Sequence, residues 1–510
     1  MLKVKLLLGI LFVLFCQNGF ARGFTPNVQV NDVVTGEQST DGKQLIATLG
    51  DSVYVVWGDM RAQDTTDVYF AKSTDGGETF GSSVKVSSIP DTVQQIWPSL
   101  EVDDSGVIYV TWSMLSLDLM STYGIWFTKS TNGGVSFESA VRVDSFGILP
   151  AIAVYGSNVY VLFADPSGYP FVDFYFARST NGGTSFEPSY KINDAPCQDT
   201  AEISNMTALC VDESGNIYAA WNDGRRDGAN GDIFFAKSSD DGISFGTNVS
   251  VNDTTSPAGD SVQSHPSITV GGTDTVYVVW HDCRDDERIY FAKSTNGGMS
   301  FDADVPVSDT VNESMCRRPS ITTFPTGEIY VAYDAFSPSA GGENIWCTMS
   351  NDGGESFVQS LAVADTFNCE AEQPSIAIGF DENAYLVWSD NRLGNKDVYF
   401  AKGVVGGIEE NDVFPVPMTL GLIECTPNPF TVVTSIKYVL PKDAHIELAI
   451  YNVQGQLIRT LTNGTETAGI HSVSWNGKDD KGRNVNSGVY FYQLKESTNV
   501  KETKKVLLLR

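Results

Sequence analysis

Four times in this chain a tryptophan is followed at fixed spacing by an aspartate and an arginine: Trp57-Gly58-Asp59-Met60-Arg61, Trp221-Asn222-Asp223-Gly224-Arg225, Trp280-His281-Asp282-Cys283-Arg284 and Trp388-Ser389-Asp390-Asn391-Arg392. A guanidinium fork pairs bidentately with a carboxylate and an indole face stacks on a sugar ring, so the set is equipped to hold an anionic or hydroxyl-rich ligand. Three of these loops close on a further aspartate, Asp67, Asp232 or Asp397. The same residues have a second reading, in which an arginine between two carboxylates staples its own loop and recurrence marks a scaffold. Segments expected on the same face add Trp97, His265, Arg317, Arg318, Glu372 and Gln373. The expected ligand-binding set is therefore Asp59, Arg61, Asp223, Arg225, Asp282, Arg284, Arg318, Asp390 and Arg392, converging at the mouth of a central channel. No residue receives a catalytic role from the sequence.

What must position these loops is a repeat. An eight-residue phrase opens at Ser73 as Ser-Thr-Asp-Gly-Gly-Glu-Thr-Phe and returns at Ser130, Ser179, Ser238, Ser294 and Ser350, a period of 49 to 59 residues. Such a period marks a propeller or solenoid, because one supersecondary unit cannot bury its apolar face alone. Each unit contains four short β-rich runs, as in Pro266–Val270, Val276–Trp280, Ile289–Lys293 and Val305–Ser308, separated by Gly, Asp and Asn. That pattern predicts a four-stranded antiparallel meander. The second strand recurs seven times, from Tyr54–Trp57 to Tyr385–Trp388, but the seventh unit ends at Lys402 without a fourth strand. Asn27–Asp32 matches Val249–Asp253 and is expected to supply it, closing the ring and removing free sheet edges.

The phrase Ser-x-Asp/Asn-x-Gly-x-Ser/Thr-Phe has a local explanation: Asx and Ser side chains bond nearby backbone, Gly supplies positive φ, and Phe returns to the apolar layer between sheets. It also resembles the Asp box, or bacterial neuraminidase repeat, of the sialidase superfamily. The resemblance implies a seven-bladed sialidase-like β-propeller with the boxes on the face opposite the active site. Sialidases hold the substrate carboxylate with three arginines, use a Tyr activated by Glu as nucleophile and an Asp as acid/base, outside the usual two-carboxylate pattern. Their Arg-Ile-Pro signature near the N-terminus is absent here; Arg317-Arg318-Pro319 lies in the sixth repeat, and no Tyr/Glu pair is assigned. The expected function is binding of a glycan or protein ligand. The alternatives are an exo-α-sialidase or related glycoside hydrolase, and a structural adhesion propeller.

After Lys402 the repeat stops, and 403–418 reads as a linker. From Thr419 to Arg510 strand-like runs at Ser435–Leu440, Ile446–Tyr451, His471–Trp475, Gly488–Leu494 and Lys504–Leu509 predict a small Ig-like β-sandwich, so the fold class is all-β. Pro427-Asn428-Pro429-Phe430, Ile450–Gln456, Trp475–Arg483 and the ending Lys504–Arg510 resemble the C-terminal sorting domain of type IX secretion cargo, a pattern shared with the immunoglobulin-like module of flagellar hook-capping proteins. That resemblance implies the type IX secretion machinery as partner and a bacterial outer-membrane surface or secreted location. A plain Ig-like spacer is the alternative.

Residues 1–21, with Lys3 and Lys5 before the apolar run Leu6–Phe15 and small residues to Ala21, read as a signal peptide, which leaves 22–402 as the propeller and no transmembrane span in the mature protein. The net charge of −30 resides before Thr419, since the last 92 residues carry 11 Lys/Arg against 8 Asp/Glu. A field of that sign repels nucleic acid. Eight cysteines, one of them (Cys16) in the leader, show no C-x-x-C spacing; a bridge between Cys283 and Cys316 is expected to pin the rim. With four His and no G-x-S-x-G, Walker, H-E-x-x-H or EF-hand pattern, no cofactor or metal is expected.

Overall fold

The computed structural model describes residues 23–404 and 421–509 apart from short internal stretches, of which 199–206 and 254–261 are the longest. The leader and most of 403–418 lie outside the described residues. The chain divides into two compact units, 1–410 and 411–510, and no helix among the described residues is long and apolar enough to cross a membrane.

The described part of the first unit forms seven antiparallel sheets in chain order, here called blades 1 to 7. Blade 5 is typical: Gln263–Val270, Val276–Asp282, Arg288–Ser294 and Val305–Pro306, from inside to outside. The sheets close into a ring, because the first strand of each touches the first strand of the next, from Ile46–Leu49 in blade 1 round to Glu372–Ile378 in blade 7 and back. Blade 7 owns three strands and is completed by Gly23–Phe24 and Val28–Gln29, which pair with Asp397–Val404. Val28 opposes Phe400 and Gln29 opposes Tyr399. Asn31 then donates from Nδ2 to Asp397 (2.7 Å) and accepts from Val398 N (2.8 Å), as Asn252 does with Asp232 and Ile233 N in blade 4 (both 2.8 Å). The strand expected from the N-terminal segment is thus held by the same Asn device as a blade's own outer strand.

The eight-residue phrase joins neighbouring blades. Ser73 donates to Asp75 (2.6 Å) and accepts from Gly77 N (2.9 Å), while Asp75 accepts from Thr79 N (3.0 Å). The Ser73 and Thr79 hydroxyls hold Asp75 down at about 2. Gly77, at φ 88°, lies flat on Phe400 of the preceding blade; a Cβ there would sit 2.1 Å from the ring. Phe80 meets the same Phe400 edge-on, with centroids 5.4 Å apart, and Gly298 with Phe301 repeats the contact on Phe235. A motif that looks like turn chemistry is therefore also a lock between sheets.

The second unit contains two sheets. One is Gly421–Thr426, Thr434–Leu440 and Gly469–Trp475; the other is ordered Leu457–Glu466, Ala444–Asn452, Gly488–Glu496 and Asn499–Leu508. Inward residues of both, with Trp475 and Phe430 in contact, make its core. Gly421–Thr426 and Leu457–Glu466 are strands that the sequence pattern does not mark, since neither GLIECT nor LIRTLTNGTE alternates apolar and polar residues along its length.

Candidate functional site

The four Trp-x-Asp-x-Arg loops adopt one geometry. The Asp is buried, accepts from the indole Nε1 of its own Trp (2.9 to 3.2 Å), and is clasped by its own Arg, as Asp282 is by Arg284 Nε at 2.8 Å. The guanidinium lies on an aromatic ring of the third strand: Arg61 on Tyr69 (3.8 Å), Arg225 on Phe234 (4.2 Å), Arg284 on Tyr290 (4.4 Å) and Arg392 on Tyr399 (4.0 Å). Its remaining N–H groups reach outward. Each meets a carboxylate that follows the outer strand of the preceding blade: Asp32 for Arg61 (3.7 Å), Asp194 for Arg225, Asp253 for Arg284 (3.4 Å) and Asp365 for Arg392 (2.5 Å). Three also meet a residue at the start of their own outer strand: Asn248, Asp304 (2.7 Å) and Asn27 (2.9 Å).

Three expectations are corrected here. The arginines do not converge at the channel mouth; they lie in four different blades and tie outer strands together, which follows from their partners being residues beside outer strands. Nor do the loop-closing aspartates hold them. Asp67 instead pairs with Lys85 (2.7 Å) and Gln95 (2.6 Å), Asp232 with Asn252, and Asp397 with Asn31. Cys283 and Cys316 are free thiols and not a bridge.

Arg318 is different. It sits midway along the innermost strand of blade 6, Ser314–Thr323, its guanidinium 2.9 Å from Glu372 and 3.7 Å from Asp334. It occupies a left-handed backbone position directly before a proline, and so do Trp97, Leu149, His265 and Gln373 in four other blades, with φ between 48° and 58°. In each case the ladder between first and second strands slips at this point. A non-glycine residue held left-handed costs on the order of 1 kcal/mol or more, and such outliers gather where a side chain must be aimed. Glycine would serve if only the backbone bend mattered; Trp, His, Arg and Gln stand there instead.

Around this ring the polar contacts run between blades. Trp97 Nε1 donates to Asp41 (3.0 Å) and Lys43 Nζ donates to the Pro266 carbonyl (2.8 Å), while Glu372, which meets Arg318 across the blade boundary, also pairs with Lys396 of its own blade. Asp41 Oδ1 is buried without a hydrogen-bond partner. Lys43, Arg318 and Gln373 line a small cavity of about 30 Å³. It adjoins a channel of about 270 Å³ lined by the first strands, including Lys43, Glu101 and Cys210. Burial pushes the Asp334 carboxyl up to about 7 against the opposing pull of Arg318, and burial likewise raises Asp41. Burial also drives Lys43 down to about 7 and Glu101 up to about 7. At Glu372 burial acts in the same upward direction, but the bond from Lys396 and the Arg318 charge outweigh it and hold the group below its ordinary value.

A Tyr/Glu pair is present, yet away from this ring. Tyr333 Oη donates to Glu313 at 2.6 Å. Tyr333 is 0% exposed, Glu313 is 3% exposed, and Tyr333 occupies the place of the buried tryptophans in other blades. It is scaffold.

Solved structures share this propeller at low identity. An ulvan lyase of polysaccharide lyase family PL25 superposes with a TM-score of 0.52 at 11% identity, over 73% of this chain and 95% of that one. The GH93 α-L-arabinofuranosidase of Fusarium graminearum gives 0.45 at 12%, over 74% and 97%. The NanB sialidase from Streptococcus pneumoniae gives 0.43 at 11%, over 74% and 70%. The first unit has a β-propeller fold of the kind seen in the ulvan lyase. Residues 431–499 match the FlgD Ig-like domain, so that propeller is followed by an Ig-like module. No curated protein matches the chain in sequence. Fold at this identity does not carry chemistry with it.

Proposed function

We propose that the propeller is a carbohydrate-binding domain whose ligand sits at the channel mouth on Arg318, Asp41 and Trp97, and that the C-terminal module directs its export through the type IX machinery to the cell surface. The observation that carries the binding site is the ring of strained residues before proline. Five blades hold Trp97, Leu149, His265, Arg318 and Gln373 in the same strained backbone position, and two of these, Arg318 and Gln373, line the small cavity that adjoins the channel. Arg318 is already paired with Glu372 and beside Asp334, which leaves little net positive charge for a carboxylate ligand. A neutral, hydroxyl-rich saccharide, bonded by Asp41 Oδ1 and the Arg318 fork, fits the balance better than a sialic acid.

A second reading, glycoside hydrolysis, has its own support. Asp334 is pushed to about 7 and Glu372 is held low beside the same guanidinium. Two carboxyls with separated titrations are what an acid and a base require. The test is a glycan array together with a panel of aryl glycosides, applied to wild type, Arg318→Ala and Asp334→Asn. Binding lost in Arg318→Ala without turnover in any protein supports the binding domain. Turnover lost in Asp334→Asn supports the hydrolase. Neither binding nor turnover in wild type sinks both and favours the adhesion scaffold.

A further inference from the structure

Blade 5 departs from the repeat at the two positions the arginine staple leaves free. In Trp-x-Asp-x-Arg the named residues are bound to one another, and the first x, on the strand, alternates to its other side while the second follows the strand end. Those positions are Gly58 and Met60 in blade 1, Asn222 and Gly224 in blade 4, Ser389 and Asn391 in blade 7, and His281 and Cys283 in blade 5. His281 Nε2 lies 3.7 Å from Cys283 Sγ. A carboxylate oxygen of Glu287 joins them, and the three ligand atoms all lie within 4.8 Å of one another. With zinc bonds of about 2.0 Å to nitrogen and about 2.3 Å to sulfur, a tetrahedral site sets N and S roughly 3.5 Å apart, so this pair already stands at ligating separation.

The surroundings orient all three. Ser264 Oγ is 3.2 Å from His281 Nδ1; with that nitrogen engaged by the hydroxyl, Nε2 is the one left to face the thiol, the usual outer support of a metal-bound imidazole. Arg317 fixes Glu287 through both carboxylate oxygens, at 2.7 to 3.0 Å. A carboxylate has about four acceptor sites, so an outward lone pair remains. His281 is buried, while Cys283 and Glu287 are half-buried, which gives an ion a way in. The site borders the mouth, because the His281 ring stands 6.0 Å from that of His265.

We propose that His281, Cys283 and Glu287 bind one divalent transition ion of the zinc type at the rim of the channel, with the fourth position open. A nitrogen, sulfur and oxygen set selects zinc-like ions over calcium and magnesium, which take oxygen ligands. Three protein ligands with one free position is the arrangement of an ion that meets a ligand or substrate and not of a closed structural site.

The test is titration of the metal-free, reduced full chain with Co²⁺ alone, read by the near-ultraviolet thiolate-to-cobalt charge-transfer band. The band should saturate at one equivalent, be displaced by Zn²⁺, persist in Cys316→Ser and vanish in Cys283→Ser. Glu287→Gln should weaken binding at least about tenfold, the scale of a lost ligand or its support. No band in wild type, or a full band in Cys283→Ser, overturns the assignment. If Cys283→Ser does not fold, unchanged affinity in Glu287→Gln overturns it instead.

Discussion

Two sets of arginines on this propeller use one side chain for opposite ends. Arg61, Arg225, Arg284 and Arg392 are saturated: each clasps a buried Asp, lies on a ring and reaches a neighbouring blade's outer strand. Arg318, on an innermost strand, meets Glu372 on the innermost strand of the next blade and Asp334 on the second strand of its own, and lines a cavity that adjoins the channel. Repetition belongs to the first set and singularity to the second. In a repeat protein, what recurs in several blades is what every blade needs to stack, and a site shows as a departure from the repeat. The His281 and Cys283 positions make the same point within one loop.

The contrast can be broken most forcefully at the staples. Asp282→Ala should leave the Trp280 indole N–H without its acceptor and remove one of the carboxylates that hold Arg284, which keeps Asp304 and Asp253, at a cost of about 3 kcal/mol. Chemical denaturation of the propeller would read this, and a loss below about 1 kcal/mol would mean the staple is decorative. Gly77→Ala tests the lock on the opposite face. A Cβ at 2.1 Å from Phe400 and a left-handed backbone together should cost about 1–3 kcal/mol, seen as a lowered melting temperature. Wild-type stability despite the methyl group would show that the ring moves aside freely.

A smaller effect sharpens the mouth. Burial raises Asp334 to about 7 in the folded chain, above its ordinary 3.8. Between those values the folded state holds a proton that the unfolded state has released, so this group's contribution makes stability fall as pH rises from about 4 to about 7. Asp334→Asn should flatten that slope in melting curves taken at pH 5 and pH 8. An unchanged slope would place the Asp334 titration elsewhere. Smallest in stability is Arg318→Ala, because Glu372 keeps Lys396 and Asp334, raised to about 7, can hold its proton; the melting temperature should move by only a few degrees.

Much of the fold was legible in the chain. The seven second strands, the six boxes and the N-terminal segment that completes blade 7 all follow from strand periodicity and turn residues. The polar partners were less so. That Arg284 reaches Asp253, 31 residues back and in another blade, depends on how two outer strands are juxtaposed, which no local spacing encodes. Composition alone groups Arg318 with the stapling arginines. What separates it is the left-handed turn before Pro319, and a residue before proline is ordinarily expected to be extended. A signal is present: Trp97-Pro98, Leu149-Pro150, His265-Pro266, Arg318-Pro319 and Gln373-Pro374 set a varied residue before a constant one within five first strands.

The central claim is that the ligand site is the inner ring and that the outer arginines are scaffold. It is tested most directly by measuring, on one glycan array, the binding of wild type, Arg318→Ala and Arg225→Ala beside their melting temperatures. The account predicts that Arg318→Ala keeps its melting temperature within a few degrees and loses binding, whereas Arg225→Ala melts earlier and still binds when assayed below its transition. Binding retained by Arg318→Ala, with binding lost by a fully folded Arg225→Ala, would contradict it.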